Sequence, residues 1–325
     1  MPRAVIILAD LYPNPDETFP VAGIPRLPAL EHWLARSQRT LRDSEDWRQW
    51  LRQHLDADLR RATDVPGYWL ATPVHGVAGL DTVRLHGTGL LRLDRAEQCR
   101  LAEDFALAFA GSGWQLMATD ARELLLRGPE LDADAPDPAR YLGQSVREAQ
   151  LQGAQAAPLR RLQAEIEMWL HGASFHGQSA EQRLKVTGLW LWGHEFAGPL
   201  TRRAQSYALR RAGVVGGRLY ADDLGSRACA AAVGLTQSGL PDAWPEEARA
   251  DLDRYVVLNL HGQAVPAQLA DIERRWLQPA LRRRQAGQYR VLELVCGARH
   301  WIVDSLSGWR FWRRPRHWLP ELLAC

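Results

Sequence analysis

The stretch Ala4-Val-Ile-Ile-Leu-Ala9, which Asp10 closes, decides the fold class of this chain. An unbroken apolar run of this length is typical of a strand buried on both faces, as in a parallel sheet covered by helices. Asp10 then stands at the carboxyl end of that strand, where the ligand crevice of an open α/β sheet lies. We therefore expect an α/β fold in which Asp10 belongs to the functional site.

Patterns farther along the chain predict more helices and strands. Asp94 with Glu97 three residues later is a capping box that begins a helix, and apolar residues at helical spacing predict another helix from Leu159 to His171. The order of the elements favours a mainly parallel sheet covered by helices, in a single domain over residues 1–325. A small inserted cap subdomain at about residues 42–155 stays an open alternative. Strands are predicted at Leu189–Trp192, Tyr255–Leu260 and Tyr289–Cys296.

Composition excludes several classes of protein. With 46% hydrophobic residues and a formal charge of +2, the chain of 325 residues is neither disordered nor fibrous. Its apolar runs are shorter than the roughly 18 residues of a membrane span, so no membrane partner is expected. The 4 cysteines stand far apart, which excludes a zinc knuckle and a disulfide framework. We expect a soluble, cytoplasmic protein.

Polar residues near predicted strand ends form the candidate ligand site. Sequence motifs of phosphate loops, dinucleotide folds, zinc proteases and serine hydrolases are absent, so no motif names a reaction. Arg183 would pair with a carboxylate or phosphate, because the two parallel N–H donors of its planar guanidinium group match the oxygens of those anions. A small anionic ligand is therefore expected, whereas a protein partner stays unknown. The candidate ligand-binding residues are Asp10, His75, Arg183, His194 and His261.

The segment from Arg299 to His317 is rich in arginine and tryptophan, and it has two interpretations. Arginines interleaved with aromatic residues can bind the phosphates and bases of a nucleic acid. Alternatively, the segment is an edge strand or hairpin whose tryptophans pack inside while arginine stems cover apolar surface. The overall charge of +2 favours the second interpretation. Nearly all basic residues are arginine, and Lys185 is the only lysine.

Several segments, in order along the chain, carry a family resemblance. They are PRAVIILADL at the start, TPVHGVAGLDTVRL from Thr72, EIEMWLH…LWLWG from Glu165, YADD from Tyr220 and GWRFWRR from Gly308. With them the chain resembles the bacterial "regulatory protein RpfE type" family. That family is similar to the archaeal type of cofactor-independent phosphoglycerate mutase, in the alkaline phosphatase superfamily. The resemblance implies an alkaline phosphatase-like core.

The resemblance also implies a metal site that this chain retains only in part. In the mutases, aspartates and histidines hold two divalent metal ions that activate a serine nucleophile. Here Asp10 matches the first aspartate, but residues 74–79 hold no serine where the nucleophile is expected. Asn259 stands where an aspartate should precede the ligand His261, and no aspartate precedes His300. If a metal site survives, its ligands are Asp10, His261 and His300.

The resemblance therefore leaves two functional hypotheses. The first is a non-catalytic relative that acts as a regulatory or binding protein and needs no cofactor. The second is a working mutase or phosphatase that holds Mn²⁺ or Zn²⁺ with shifted ligands. The adjacent Asp222 and Asp223 also have a plain structural interpretation, as a turn or helix cap. The shifted ligands would be Asp10, Asp81, Asp222, Asp223, His261 and His300.

Overall fold

A computed structural model of the chain shows helices and strands throughout the part that it describes. The described residues are 2–9, 24–41, 67–79, 82–149, 151–172, 184–194, 217–232, 235–245, 252–260 and 265–323. The strands are β1 (Arg3–Ala9), β2 (Gln38–Leu41), β3 (Tyr68–Ala78), β4 (Val83–Leu90), β5 (Gln115–Met117), β6 (Leu124–Arg127), β7 (Gly188–Trp192), β8 (Gly217–Tyr220), β9 (Thr236–Ser238), β10 (Asp253–Asn259), β11 (Val291–Cys296) and β12 (Arg299–Val303). The α-helices are α1 (Pro28–Arg36), α2 (Arg95–Ala108), α3 (Ala156–Gly172), α4 (Leu224–Ala232), α5 (Val265–Ile272), α6 (Gln278–Gln285) and α7 (Trp318–Leu323).

The larger sheet has β1 near its centre and the strand order β2-β12-β11-β1-β10-β8-β9. The strands from β11 to β9 pair in parallel, while β12 and β2 add an antiparallel edge. From Ala4 to Ala9 every residue of β1 is buried. The α/β prediction from the apolar run is confirmed, because only a strand between two covered faces buries all its side chains.

Helices cover both faces of this sheet in its described part. On one face, Ile6 and Leu8 of β1 join a core with Trp33 of α1 and Trp318 of α7. On the other face, Val5, Ile7 and Ala9 pack with alanines of α4. The helical stretch of α5 and α6 is continuous through a π-helical turn, Glu273–Leu277, which contributes Trp276 to the first core.

A second sheet is antiparallel and forms around β3. This long strand pairs with β4, β6 and β7, and β6 pairs in turn with β5. The strand prediction for Leu189–Trp192 is confirmed, but this strand, β7, belongs to the second sheet and not to the parallel one. The second sheet therefore uses residues beyond the range 42–155, and the division into a core and a cap subdomain stays a prediction.

The helix predictions from capping and periodicity are confirmed. Asp94 accepts a hydrogen bond from the backbone N–H of Glu97, and the Glu97 side chain bonds back to Asp94. Helix α3 buries Leu159, Leu162 and Ile166 on one face. None of the described helices has the length and apolar character that crossing a membrane requires.

Candidate functional site

The carboxyl ends of β8 and β10 bring two aspartates beside an asparagine. Asp222 and Asp223 follow β8, and Asn259 is the last residue of the neighbouring parallel strand β10. The Asn259 amide nitrogen donates hydrogen bonds to Oδ1 of Asp222 at 2.7 Å and to Oδ2 of Asp223 at 3.3 Å. This is the sheet edge at which α/β proteins bind ligands. We call Glu123, Asp222, Asp223 and Asn259 the carboxyl-edge cluster.

Glu123 enters this cluster from the second sheet. Its side chain is fully buried, and Oε2 accepts a hydrogen bond at 2.9 Å from the backbone N–H of Leu224, the first residue of α4. The Arg122 guanidinium contacts Oε1 at 3.1 Å. Burial raises the pKa of Glu123, an effect that Arg122 opposes and Asp223 reinforces. A buried carboxylate between two sheets thus joins the second sheet to the edge of the parallel sheet.

The two aspartates have different partners. Asp223 accepts a hydrogen bond at 2.7 Å from the backbone N–H of Ser226 and another from the Ser226 hydroxyl, so it acts as a cap for α4. Asp222 faces Arg92, whose Nη2 lies 3.6 Å from Oδ2. The helix-cap interpretation of the aspartate pair is confirmed for Asp223, while Asp222 pairs with an arginine and an amide.

Donors from the chain itself therefore engage every carboxyl group of the carboxyl-edge cluster. The amide of Asn259 must point its nitrogen toward the aspartates, since its oxygen only accepts hydrogen bonds and would face two carboxylates that also only accept. That oxygen, Oδ1, is buried and has no hydrogen-bond partner. Among the residues that the structure describes, no group of three or more histidine, cysteine, aspartate or glutamate side chains could hold a metal ion.

The sequence had partly indicated this cluster. The strand-end position of Asn259 was visible as a missing aspartate, and Asp222 with Asp223 followed a strand-like run. Arg122 and Glu123 were missed, because an adjacent arginine and glutamate before a short strand are an ordinary surface pattern. Their burial follows from the packing of the second sheet on α4.

The two predicted ligand-site histidines that the structure describes, His75 and His194, lie in separate places. His75 lies in β3, where its Nδ1 donates to the carbonyl oxygen of Lys185 at 2.7 Å. The His194 ring packs against Trp69 of the same strand, with ring centroids 4.9 Å apart. Trp69 and His75 are six positions apart, which is roughly 20 Å along a strand. The structure therefore does not bring His75 and His194 together, and His75 belongs to the second sheet and not to the edge of the parallel one.

His300 lies in β12 of the larger sheet and is buried. Its Nε2 is 2.9 Å from Oε2 of Glu293 in β11, and Glu293 lies 3.9 Å from the Arg3 guanidinium. A carboxylate partner thus engages this imidazole. The remaining predicted residues, Asp10, Asp81, Arg183 and His261, lie outside the described residues. The metal set of Asp10, His261 and His300 accordingly stays a prediction.

A groove of 1070 Å³ lies between α3 and the β3–β4 hairpin. We call it the α3 groove. Residues 185–188, at the start of β7, form its third side. Most of its surface is apolar, and Met168 and Val83 at its rim are exposed. Its apolar lining includes Val74, Val83, Leu85, Met168, Val186 and Trp190.

The charged groups in the α3 groove favour anions. Arg147, Lys185 and His171 line it, and Glu167 is the single carboxylate among its described lining residues. Burial raises the pKa of Glu167, and a hydrogen bond from Gln163 partly offsets this effect. The only lysine of the chain therefore lies in a large apolar groove. The sequence shows that Lys185 is the only lysine. The residues around it in the sequence do not show that α3 and β4 lie opposite it.

Comparisons with known proteins give a likeness in overall structure. No family model matches the chain, and no curated protein matches it. The cofactor-independent phosphoglycerate mutase from Thermoplasma acidophilum DSM 1728 aligns with 93% of this chain and 89% of its own, at 13% identity and a TM-score of 0.36. The PH0037 protein from Pyrococcus horikoshii aligns with 93% of this chain and 87% of its own, at 10% identity and a TM-score of 0.44. At these TM-scores, the likeness transfers no residue role to this chain.

Proposed function

We propose that this chain is a binding protein, a non-catalytic relative of the mutases with an alkaline phosphatase-like core, and that it holds an amphipathic anion in the α3 groove. The observation that carries the proposal is the lining of that groove. Arg147 and Lys185 stand beside a largely apolar surface, against one carboxylate whose pKa burial has raised. Concave apolar sites with a few polar groups are the usual form of small-molecule sites.

The carboxyl-edge cluster supports the non-catalytic part of the proposal. Phosphoryl transfer by a two-metal mechanism needs anionic ligands that are free to neutralise two ions about 4 Å apart. Here the Asn259 amide occupies an oxygen of each aspartate, and Asp223 additionally caps α4. The stretch 74–79, where the resemblance implies a nucleophilic serine, has none and runs through β3 of the second sheet.

Binding is tested with a fluorescent amphipathic anion, 8-anilinonaphthalene-1-sulfonate. We expect saturable fluorescence enhancement that decanoate reverses and that the uncharged decan-1-ol reverses far more weakly, because the alcohol lacks the charge that Arg147 and Lys185 pair with. Lys185→Gln should weaken binding of the probe about tenfold, as the loss of one partly desolvated ion pair does. The matched control is Arg282→Gln, an exposed charge on α6.

Two results would overturn this binding site. One is a probe affinity that Lys185→Gln leaves unchanged, and the other is equal competition by decanoate and decan-1-ol. A circular dichroism spectrum and a thermal unfolding curve for each variant show whether it is folded, so that loss of the groove is distinguished from loss of the fold.

The competing hypothesis, an active metal-dependent mutase or phosphatase, has its own test. Elemental analysis of the purified protein should find no stoichiometric Mn²⁺ or Zn²⁺, and a coupled phosphoglycerate mutase assay with added Mn²⁺ should show no turnover. About two ions per chain, or turnover that Asp10→Ala abolishes, would establish the enzyme instead.

A further inference from the structure

The arginine- and tryptophan-rich segment near the C-terminus displays its aromatic side chains to solvent. Trp309, Phe311 and Trp312 are 73%, 71% and 64% exposed, whereas Trp301 and Trp318 on either side are buried. The interpretation in which the tryptophans of the segment Arg299–His317 pack inside is therefore correct for Trp301 and wrong for Trp309 and Trp312. The rings of Phe311 and Trp312 lie 5.7 Å apart, and exposed apolar groups that lie together are a common feature of contact sites.

Hydrogen bonds to the rest of the chain hold the backbone around these exposed aromatic residues in place. It begins with a 3₁₀ helix, Ser305–Arg310, that a capping box with Asp304 starts. The Arg310 guanidinium donates to the carbonyl oxygen of Arg36 at 3.0 Å, and that of Arg313 donates to Ser37 at 3.1 Å. Trp318 closes the segment, and its indole N–H donates to Pro25 at 3.0 Å. The aromatic side chains are thus presented by an anchored backbone, which lowers the entropy that binding costs.

An arginine-lined cleft of 530 Å³ adjoins Trp312. Trp312 forms one wall of it, together with Arg39, Arg313, Arg314 and Arg316. Among the described residues, Arg314 and Arg316 make neither a hydrogen bond nor an ion pair. Neither Arg314 nor Arg316 has a carboxylate partner in the described part of the chain, and both line the cleft with the exposed indole of Trp312. Such an arrangement is complementary to a ligand that carries a phosphate.

The carboxylates of the cleft do not cancel this charge. Two glutamates line it, and each is already paired. Glu31 accepts hydrogen bonds from Arg26 at 2.6 and 2.8 Å, and Glu321 lies 3.7 Å from Arg39. The local excess of positive charge explains how a chain with a formal charge of only +2 can carry an anion-binding face.

We propose that Trp309, Phe311 and Trp312, with Arg314 and Arg316, form a binding face for single-stranded nucleic acid. Unpaired bases stack on the exposed rings, and the two arginines bind the backbone phosphates. A duplex is disfavoured, because its stacked bases leave no face for the aromatic side chains. This face is separate from the α3 groove and does not depend on the ligand proposed there.

The proposal is tested by fluorescence anisotropy of the full chain with labelled single-stranded RNA and DNA of about 12 nucleotides, a length within the range of known single-strand sites. We expect a Kd of about 1–100 µM at physiological salt, the range of sequence-independent binding. Duplex DNA of the same length should bind more weakly. Parallel titrations with RNA and with DNA show which single strand binds more tightly, and a preference for either one supports the proposed binding face.

Matched variants separate stacking from charge. Trp312→Ala should weaken binding about tenfold, in line with the loss of one stacked base, and leave the salt dependence unchanged. Arg314→Gln with Arg316→Gln should weaken binding and lower the slope of log Kd against log salt by about 1.4, since each single-strand phosphate contact contributes about 0.7. Arg100→Gln, an exposed arginine on α2, is the control and should change neither quantity.

Four outcomes would overturn the proposal, and three of them come from the anisotropy measurements above. These are no binding below millimolar concentrations, equal affinity of wild type and both variants, and equal or tighter binding of duplex DNA. Poly-L-glutamate is a further competitor. If it displaces the strand as well as unlabelled RNA does, at equal charge, the face is a general polyanion or acidic-protein surface and the nucleic-acid assignment is wrong.

Discussion

The side-chain amide nitrogen of Asn259 lies 2.7 Å from Oδ1 of Asp222 and donates a hydrogen bond to it. The two residues end neighbouring parallel strands and are 37 positions apart in the sequence. An amide at this point satisfies aspartates that would otherwise repel one another. A carboxylate at the same point would call for a cation, so the identity of residue 259 decides what the edge of the sheet can hold.

The first prediction concerns that residue. Asn259→Asp should lower the free energy of unfolding by about 2–4 kcal/mol at neutral pH, because hydrogen bonds to charged groups are lost and a fourth carboxyl group joins Glu123, Asp222 and Asp223. Millimolar Mn²⁺ should restore part of the loss in this variant and leave wild type unchanged. Urea unfolding followed by circular dichroism measures both effects.

Asn259→Ala is the control for this experiment. It removes the hydrogen bonds without adding charge, so it should lose stability but show no response to Mn²⁺. Stabilisation of the wild-type protein by Mn²⁺ would contradict a cluster whose carboxyl groups are already engaged by donors of the chain, and would favour the enzyme hypothesis.

The second prediction concerns the buried pair of Arg122 and Glu123. Glu123→Ala should cost about 3–5 kcal/mol, because Arg122 loses its carboxylate partner in a buried environment. The double variant with Arg122→Ala should cost less than the sum of the single variants. Chemical denaturation of all three variants gives the coupling energy.

A surface pair of the same type calibrates this result. Arg161 and Glu165 lie 2.9 Å apart on the exposed side of α3, and Glu165→Ala should cost no more than about 0.5 kcal/mol. Equal losses at the buried and the exposed pair would mean that Glu123 does not join the two sheets as described.

The third prediction is a pH dependence of anion binding in the α3 groove. Burial raises the pKa of Glu167 above its ordinary value of 4.5, so this carboxyl gains its proton as pH falls from neutral toward that value. Protonation removes a like charge from the groove, and the affinity for 8-anilinonaphthalene-1-sulfonate should therefore rise with falling pH.

His171, Lys185 and Arg147 are the other charged or titratable side chains among the described lining residues. The titration is therefore repeated in a His171→Gln background, where the rise should persist, and in Glu167→Gln, where it should disappear. A rise that survives in Glu167→Gln would assign the pH dependence to another group.

The fourth prediction concerns the capping box of α2. Asp94→Ala should lower the free energy of unfolding by about 1 kcal/mol, because the backbone N–H of Glu97 loses its acceptor. Asp94→Ser should retain most of the stability. Asp104→Ala, on the exposed side of the same helix, should stay within about 0.5 kcal/mol of wild type, and thermal unfolding distinguishes these outcomes.

Local patterns predicted much of the secondary structure. The apolar run of β1, the cap at Asp94 and the helical spacing of α3 each depend on neighbouring residues alone, and the structure shows all three. Local patterns predicted the candidate site less completely than they predicted the secondary structure. Sequence position placed Asp222 and Asn259 near strand ends, but their hydrogen bond requires β8 and β10 to be neighbours in the sheet.

The sequence by itself determined the α/β class, because a strand with apolar residues on both faces must be covered on both faces. Only the tertiary structure decided that β7 pairs with β3 in a second sheet, that Glu123 reaches α4, and that Lys185 lines a groove. The physical reason is that strand pairing and burial depend on contacts between residues far apart in the chain. A strand carries the same local pattern whichever sheet it joins.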